Sequence, residues 1–189
     1  MQKKKFGIII FPGTWSDKDC YYAINNILNN EARYIWHKET NVDDLDCLVL
    51  AGGFSYGDYL RCGSIASKSK IIKSVVEFAN SGGLVLGICN GFQILTETGL
   101  LPGALLRNKK LKFMSKNIFL KVINTNNKFC FNYKNKNVIE LPIAHNEGNY
   151  FANNELLKNL EDNNLIAFKY CDKEGNIKED SNPNGSSNN

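Results

Sequence analysis

The sequence predicts an α/β fold with a doubly wound, mostly parallel sheet and an antiparallel β section in its C-terminal half. Two observations predict this class. Up to about residue 100, short apolar runs alternate with segments of helical periodicity, which is typical of parallel strands joined by helices. After Gly103 the pattern changes to β-rich runs separated by turns of Asn and Lys. Because ligands of parallel sheets bind beyond the carboxyl ends of the strands, a site is expected at that edge.

Four strands are predicted in the first half, because each is a short apolar run bounded by turn signals. They cover 6–11, 33–36, 45–51 and 84–88. A helix is predicted from Ser16 or Asp17, either of which can cap its first turn. Its apolar residues recur on one face, which we expect to be buried: Tyr21, Ile24, Ile27 and Leu28. Further helices are predicted over 65–80 and from Asn90 onward.

The second half is predicted to contain four strands and one helix. The strands cover 118–123, 129–133, 138–143 and 165–170, and the helix covers 154–160. Residues 180–189 are all small, polar or turn-forming, so their composition predicts a disordered tail. We see no internal repeat and no linker that would divide the chain into two domains.

The composition argues against several classes of function. With 189 residues, 43% of them hydrophobic, the chain is long enough for one domain with a real core. The net charge is only +4 and the lysine clusters contain no interleaved aromatic residues, so nucleic acid is not an expected partner. Two histidines, and six cysteines without a Cys-x-x-Cys pair, argue against a metal site. No run reaches membrane-span length and no signal peptide is apparent, so we expect a cytoplasmic protein without a membrane partner.

The stretch Gly87-Ile88-Cys89-Asn90-Gly91 lies between a predicted strand and a predicted helix. The pattern Gly-x-Cys-x-Gly is the thiol version of a nucleophile elbow, in which a sharp turn leaves the central side chain exposed. Glycines on either side avoid crowding in that turn. The helix N-terminus favours an anionic sulfur. Cys89 is therefore predicted to be a nucleophile, and the alternative is a buried structural cysteine.

Two segments carry a resemblance to a known family. They are Gly-Gly-Phe-Ser-Tyr-Gly-Asp-Tyr-Leu-Arg at 52–61 and Gly-Ile-Cys-Asn-Gly-Phe-Gln at 87–93. Together they closely resemble the triad-type (class I) glutamine amidotransferases, whose sheet is flavodoxin-like. More narrowly, they resemble the glutaminase subunit (subunit I) of phosphoribosylformylglycinamidine synthase. The segments 101–105, 142–150 and 182–186 agree, so the match runs essentially from end to end.

The resemblance implies a function in de novo purine biosynthesis. Residues 1–189 would form a single type 1 glutamine amidotransferase domain that hydrolyses glutamine to glutamate and ammonia through a cysteine thioester. The ammonia would be channelled to a large synthetase subunit, which converts formylglycinamide ribonucleotide to formylglycinamidine ribonucleotide with ATP. A small third subunit is also implied. ATP and Mg²⁺ would belong to the synthetase; this chain has no phosphate-loop motif and is expected to hold no cofactor.

The same resemblance assigns roles in the site. Cys89 would attack the glutamine carboxamide, and the resulting oxyanion needs preorganised donors. The backbone N–H of Asn90 is one candidate donor, and that of Gly53 or Phe54 is the other. Glycine at 52 would let this loop approach the substrate, although Gly52-Gly53 is also explained by a plain strand-ending turn. Gln93, one helical turn after the nucleophile, would hold the glutamine; the alternative is a polar residue on the helix surface.

Four more residues are assigned less specific roles. By resemblance, Asp58 and Arg61 belong to the glutamine pocket and to the face that meets the synthetase; alternatively they pair with each other. His145 and Glu147 form a possible acid–base pair, but we expect His145 to be substrate-adjacent or structural. His37, at the end of a predicted strand, is expected to be a packing or interface residue.

The sequence departs from the family at Trp15-Ser16, where an Asn-Cys pair is common, and more seriously at the catalytic triad. The family's triad histidine and glutamate come from a Pro-His-Pro-Glu-like segment, and this sequence has neither that segment nor a histidine after His145. We therefore expect the C-terminal segment of the domain to be missing. The alternative function is a catalytically dead docking subunit of the same complex, since loss of a general base typically costs about 10²–10⁴-fold in rate. A thiol hydrolase of the same fold is a third possibility, but Gln93 and the 52–61 loop argue against it.

Overall fold

The computed structural model of the chain describes residues 2–134 and 137–189. The chain divides into two compact units, Met1–Pro102 and Gly103–Asn189. The sequence-based assignment of residues 1–189 to one amidotransferase domain stays a prediction.

The first unit contains a four-stranded sheet with the strand order β2-β1-β3-β4. All three strand pairs are parallel. The strands are β1 Lys5–Ile10, β2 Glu31–Trp36, β3 Cys47–Leu50 and β4 Leu84–Gly87. The helices are α1 Asp17–Tyr22, α2 Ile71–Asn80 and α3 Asn90–Glu97. This alternation confirms the predicted parallel α/β architecture.

Apolar residues on both faces of this sheet are buried. On one face, Ile9 of β1 and Leu48 of β3 pack in a cluster that includes Val75 of α2. On the other face, Ile8 and its pairing partner Val49 pack in a second cluster. Strands buried on both faces read as continuous apolar runs, and this is why β1 and β3 were recognisable in the sequence.

Two helix predictions need correction. The segment after α1 continues as a wider π-helical turn, Ala23–Ile27, so residues three or four apart no longer share one face. As a result Ile24 is buried, whereas Tyr21, Ile27 and Leu28 are exposed. The Ser16 side chain makes no capping hydrogen bond. The single helix predicted over 65–80 is instead a 3₁₀ turn, Ala66–Lys68, followed after an extended Ser69 by α2.

The second unit contains two antiparallel sheets and one helix. Its strands are β5 Ala104–Leu106, β6 Met114–Val122, β7 Val138–His145, β8 Asn149–Phe151 and β9 Phe168–Cys171. Three of them form a sheet of order β7-β6-β9, and β5 pairs with β8. The helix is α4 Asn154–Asp162, and the Asn153 side chain caps it by accepting the Leu156 N–H at 2.8 Å. The antiparallel section predicted after Gly103 is therefore confirmed.

Two predictions in this unit are wrong. The strand predicted over 129–133 is a turn, because the Asn127 side chain accepts the N–H groups of Phe129 and Cys130 at 3.0 and 2.9 Å. The tail predicted to be disordered is packed. In it, Asn184 is fully buried and the Ser187 N–H donates to the Tyr150 carbonyl at 2.7 Å.

Within the described residues, no helix is both long and apolar enough to cross a membrane.

Candidate active site

Cys89 lies on the sharp turn between β4 and α3, as the elbow pattern predicts. Its backbone is in the left-handed half of the Ramachandran map, at φ 53° and ψ −110°. A non-glycine residue there is strained by roughly 1–3 kcal/mol, and such strain is concentrated at functional sites. All six cysteines are among the described residues, and Cys89 alone is exposed. The alternative of a buried structural cysteine is therefore wrong.

The flanking glycines are required by the tightness of this turn. A Cβ added at Gly87 would lie 2.8 Å from the Gly91 carbonyl carbon. A Cβ added at Gly91 would collide with the carbonyl oxygen of Leu50. The helix start is therefore pressed directly against the end of β3, and this brings the loop that follows β3 to the nucleophile.

The loop after β3 passes beside Cys89. A Cβ added at Gly52 would lie 3.2 Å from the Cys89 Cβ. Ser16 fixes this position, because its Oγ accepts the Gly52 N–H at 2.8 Å and donates to the Gly52 carbonyl at 3.3 Å. The Trp15 and Ser16 N–H groups also donate to that carbonyl, at 3.0 and 3.1 Å. Gly52 thus serves close approach as well as ending the strand.

Most backbone N–H groups of this loop already have acceptors. The Phe54 N–H donates to the Gly13 carbonyl at 2.9 Å, and the Tyr56 N–H donates to the Pro12 carbonyl at 2.7 Å. The Ser55 N–H donates to Asn90 Oδ1 at 3.2 Å. Among the described residues, the Gly53 N–H has no acceptor. Since backbone donors are rarely left unused, the Gly53 N–H is the one available to a ligand.

The Asn90 side chain joins this loop to the first turn of α3. It is 1% exposed, and its Nδ2 donates to Gln93 Oε1 at 2.9 Å and to Asp58 Oδ1 at 3.4 Å. Gln93 is therefore buried within the site and is not a residue of the helix surface. Near this junction, the Ser55 hydroxyl is buried and has no hydrogen-bond partner among the described residues.

The loop beyond Ser55 is strained. Tyr56, Gly57, Asp58 and Leu60 all have positive φ, between 54° and 70°. This costs roughly 1–2 kcal/mol for each non-glycine residue. Tyr59 and Leu60 at its tip are 74% and 89% exposed.

A bidentate ion pair closes the strained loop onto α3. Arg61 donates from Nε and Nη2 to the two carboxylate oxygens of Glu97, both at 2.7 Å. The Glu97 side chain is 9% exposed and that of Arg61 is 55% exposed. The predicted loop residues thus have partners that the sequence did not indicate: Glu97 for Arg61, and Asn90 for Asp58.

Tyr56 is tied to the end of β2. Its hydroxyl lies 2.9 Å from His37 Nδ1 and 3.1 Å from Ser69 Oγ. Its ring also meets the His37 imidazole edge to face, with centroids 5.7 Å apart. Burial lowers the pKa of His37, and the neighbouring Lys38 charge lowers it further. His37 is thus an internal packing residue, one of the two alternatives that the sequence left open.

His145 lies in the second unit, where two buried asparagines hold its ring. Nδ1 lies 3.0 Å from Asn108 Oδ1, and Nε2 lies 3.5 Å from Asn184 Nδ2. Burial lowers the pKa of His145. The imidazole therefore has a structural environment, consistent with the expectation for this residue. Glu147 is half-buried on the same turn.

Within the described residues, no group of three or more His, Cys, Asp or Glu side chains is arranged to hold a metal ion.

Comparison with known proteins decides the family. The family model for the CobB/CobQ-like glutamine amidotransferase domain matches residues 3–189. The phosphoribosylformylglycinamidine synthase subunit PurQ of Pelagibacter ubique is 54% identical over 179 residues, covering 95% of this chain and 78% of that protein. The chain belongs to the PurQ family of glutamine amidotransferase subunits. The corresponding subunit of Moorella thermoacetica is 51% identical over 182 residues, covering 96% of this chain and 77% of that protein.

Solved structures agree with this membership. A chain in the structure of PurLQS from Thermotoga maritima has a TM-score of 0.82 and 35% identity to this chain. The alignment covers 98% of this chain and 78% of that one. A GMP synthase subunit from Thermoplasma acidophilum, with a TM-score of 0.55 and 19% identity over 80% of this chain and 68% of that one, shares the fold alone. The resemblance, the fold class and the assignment to the amidotransferase subunit of the synthase are confirmed.

In this PurQ family member, the structure brings together most of the residues that the sequence singled out. Gly52, Gly53 and Phe54 lie on the loop beside Cys89, and Asn90 connects that loop to Gln93 and Asp58. Sequence reasoning missed the supports of the loop: Ser16, Tyr56, Ser69 and Glu97. Ser16 was singled out in the sequence only as a possible helix cap. The others are polar residues with no local pattern.

Proposed function

We propose that this chain hydrolyses glutamine at Cys89 and supplies the ammonia to the synthetase subunit of phosphoribosylformylglycinamidine synthase. The observation that supports this site most strongly is the exposed, strained thiol beside the Gly52–Gly53 loop. Membership of the PurQ family supports the reaction, and the geometry of the elbow supports Cys89 as its nucleophile.

In the proposed reaction, the Cys89 thiolate attacks the amide carbon of glutamine and forms a C–S bond. The resulting oxyanion is bound by the N–H groups of Asn90 and Gly53. The C–N bond then breaks as the nitrogen takes a proton from solvent and leaves as ammonia. Water attacks the remaining thioester and gives up its protons to solvent, which releases glutamate and the thiolate. Phe54 is the weaker donor candidate, because its N–H would first have to leave the Gly13 carbonyl.

The proposed partners are a large synthetase subunit and a small third subunit, with ATP and Mg²⁺ bound by the synthetase. The relatives at 51% and 54% identity are named as subunits of this synthase. The Thermotoga maritima structure carries the name of an assembly, PurLQS. We propose the cytoplasm as the location of the complex.

The experiment that tests the site is covalent labelling by a diazo-ketone analogue of glutamine, with the synthetase subunit present. The thiolate adds to the ketone carbonyl and forms an oxyanion. The diazo carbon then takes a proton from solvent and loses N₂ as the sulfur moves to it, the carbonyl re-forms, and the resulting thioether is located by peptide mass spectrometry. We expect one modification per chain, on Cys89, and none in Cys89→Ala. Cys171→Ala is the control, because Cys171 is a buried residue of β9 in the second unit; it should be labelled like the unmodified chain. Absence of labelling in the unmodified chain would contradict the proposal.

A catalytically dead docking subunit is the second candidate, and one observation favours it. The sequence contains two histidines, and both rings are engaged by side chains that hold them in place: His37 by Tyr56, and His145 by Asn108. Neither is therefore an evident general base for Cys89. The docking function predicts a complex that uses added ammonia but releases no glutamate from glutamine. Glutamate release that disappears in Cys89→Ala would exclude it.

A further inference from the structure

The Tyr56 hydroxyl is one of the points at which the loop after β3 is attached to the rest of the first unit; the Phe54 and Tyr56 N–H groups, which bind the Gly13 and Pro12 carbonyls, are others. Tyr56 has φ 54° and ψ 27°, a left-handed conformation that is rare for an aromatic residue. Nothing in a Gly-Phe-Ser-Tyr-Gly stretch favours that conformation locally, so contacts elsewhere must hold it. The contacts of the hydroxyl are His37 Nδ1 at 2.9 Å and Ser69 Oγ at 3.1 Å.

Both partners of this hydroxyl belong to well-anchored backbone. His37 is 8% exposed; its N–H donates to the Ile10 carbonyl at 2.9 Å, and its carbonyl accepts the Ile71 N–H at 3.2 Å. It therefore connects β1 to the start of α2. Ser69 lies in the turn just before α2, and its N–H donates to the Ala66 carbonyl at 2.9 Å. The hydroxyl is thus attached to parts of the fold that do not move with the loop.

The other contacts of the loop lead to the nucleophile. One residue before Tyr56, the Ser55 N–H donates to the Asn90 side chain, and Asn90 directly follows Cys89. Three residues before Tyr56 is Gly53, whose N–H has no acceptor among the described residues. These contacts and the intervening backbone join Tyr56 to the two N–H groups proposed to bind the oxyanion.

We propose that His37 and Ser69 are positioning residues for glutamine hydrolysis, which hold the Gly52–Asp58 loop in its productive conformation through the Tyr56 hydroxyl. This inference rests on the function proposed above for Cys89. None of the three side chains needs to touch glutamine. Their effect is on how often the loop presents the Gly53 N–H correctly when charge develops on the substrate oxygen.

The proposal predicts a loss in the rate of reaction without a loss of binding. Removing one oxyanion donor typically lowers kcat by about 10²–10³-fold, so a donor that is only sometimes misplaced should cost about tenfold. For labelling by the diazo-ketone, we expect Tyr56→Phe to lower the maximal rate about tenfold and to change the half-saturating concentration less than about twofold. Ser69→Ala should have the same effect, but smaller, because His37 still holds the hydroxyl.

Substitutions at His37 separate the hydrogen bond from packing. Asn and Leu have similar size, but only the Asn amide can replace Nδ1 as a partner of the Tyr56 hydroxyl. We therefore expect His37→Asn to retain most of the maximal labelling rate. His37→Leu should lower that rate about as much as Tyr56→Phe does. The double variant His37→Leu/Tyr56→Phe should be no slower than its slower single variant, since both remove one contact. Tyr21→Phe is the control for a Tyr-to-Phe change, because Tyr21 stacks on Tyr34 at the surface of α1.

Iodoacetamide alkylation of Cys89 is the control for a general loss of structure, because such a loss would change the alkylation rate. It needs an accessible sulfur but no oxyanion donors, so every variant should react within about twofold of the unmodified chain. Equal diazo-ketone rates in Tyr56→Phe and the unmodified chain would overturn the positioning role and leave the function of Cys89 intact. A parallel fall in both reagents' rates would also overturn it, as a structural effect. Failure of the unmodified chain to react with the diazo-ketone would overturn the proposed function, and the positioning role with it.

Discussion

At the scale of single residues, the site depends on glycines that allow backbone to approach backbone. Gly52 and Gly91 are the two positions where the loop after β3 and the start of α3 approach the nucleophile turn. Neither glycine makes a side-chain contact, because the role of each is to lack the Cβ that would prevent the close approach. The spacing Gly-x-Cys-x-Gly nevertheless predicted the turn, since the steric requirement is local.

Substitution of Gly91 tests this requirement. Gly91→Ala would force a Cβ into the Leu50 carbonyl, so β3 and α3 must separate. We expect a loss of about 3 kcal/mol in the free energy of unfolding, measured by urea denaturation. Gly82→Asn is the control, because nothing lies within 4 Å of a Cβ at that position, so this variant reports backbone strain at φ +92° without a steric collision. A loss below about 0.5 kcal/mol in Gly91→Ala would contradict the close approach.

His145 makes the stability of the fold depend on pH. Asn108 Oδ1 accepts the Gly148 N–H, and Asn108 Nδ2 donates to two carbonyls, so His145 Nδ1 must donate to Oδ1. Nε2 then faces the amide nitrogen of Asn184, which is a donor to Gly148 and Tyr170. A proton added to Nε2 would place two donors against each other. Burial lowers the pKa of His145.

The direction of the effect follows from this lowered pKa. Between the folded pKa and the unfolded value of about 6.5, the unfolded chain binds more protons, so stability rises with pH across that window. The contribution of His145 to the free energy of unfolding is therefore lost as pH falls below about 6.5. His37 contributes in the same direction, so the measurement is the difference between the unmodified chain and His145→Gln in urea denaturation from pH 5 to pH 8. Parallel stability curves for the two proteins would show that His145 makes no such contribution.

At the scale of elements, the site contains a strained loop, residues 56–60, that is held by contacts to residues at β2, α2 and α3. Its tip is exposed, whereas its two ends are tied by Tyr56 and by the Arg61–Glu97 pair. Such loops are stable only while surrounding contacts hold them, and their local opening is less costly than global unfolding.

Removing the charge of Glu97 should release the tip. We expect Glu97→Gln to increase chymotrypsin cleavage at Tyr59 or Leu60 severalfold, because the bidentate contact to Arg61 is lost while the global stability changes by about 1 kcal/mol or less. Glu77→Gln is the matched control, since Glu77 forms only an exposed pair with Lys73 at 3.9 Å. Equal cleavage rates in the two variants would mean that the ion pair does not restrain the loop.

At the scale of the whole molecule, the most consequential difference between expectation and structure is the C-terminal tail. Asn184 donates to the Gly148 carbonyl at 2.7 Å and accepts from Ser186 Oγ at 2.7 Å. Its own carbonyl accepts the Lys109 N–H at 2.8 Å. The tail is therefore an internal part of the second unit, held by polar side chains instead of apolar ones.

Asn184→Ala should destabilise the second unit strongly. It removes the bonds of the fully buried Asn184 side chain to the Gly148 carbonyl, the Tyr170 hydroxyl and the Ser186 hydroxyl, and leaves the Ser186–Gly148 bond at 3.2 Å, so we expect a cost of about 2–4 kcal/mol. Thermal unfolding should show a corresponding fall in Tm. Asn188→Ala is the control, because Asn188 is exposed and, within the part of the chain that the structure describes, its side chain bonds to the exposed Glu161 alone. Similar Tm values for the two variants would argue against the tail as a structural element.

The sequence predicted features with a local cause and missed those with a distant one. The elbow at Cys89 and the strands β1 and β3 follow from spacing and apolar runs within a few residues. Asn184, by contrast, is held by Gly148, a partner 36 residues away. Because that contact is not visible locally, the composition of residues 180–189 pointed to disorder. The alternation of Phe129, Phe131 and Tyr133 resembles a strand, but one side chain, Asn127, turns the backbone. The Tyr56–His37 contact likewise joins segments 19 residues apart.

The exposure of Cys89 has a consequence for the redox chemistry of the protein. Four of the other cysteines are buried and Cys20 is half-buried, and burial raises the pKa of Cys47 to about 11. Oxidants and thiol reagents should therefore meet a single sulfur in the native chain, with the remaining five reacting as the fold opens. A thiol titration would then count competent sites in its fast phase and report the rate of unfolding in its slow phase.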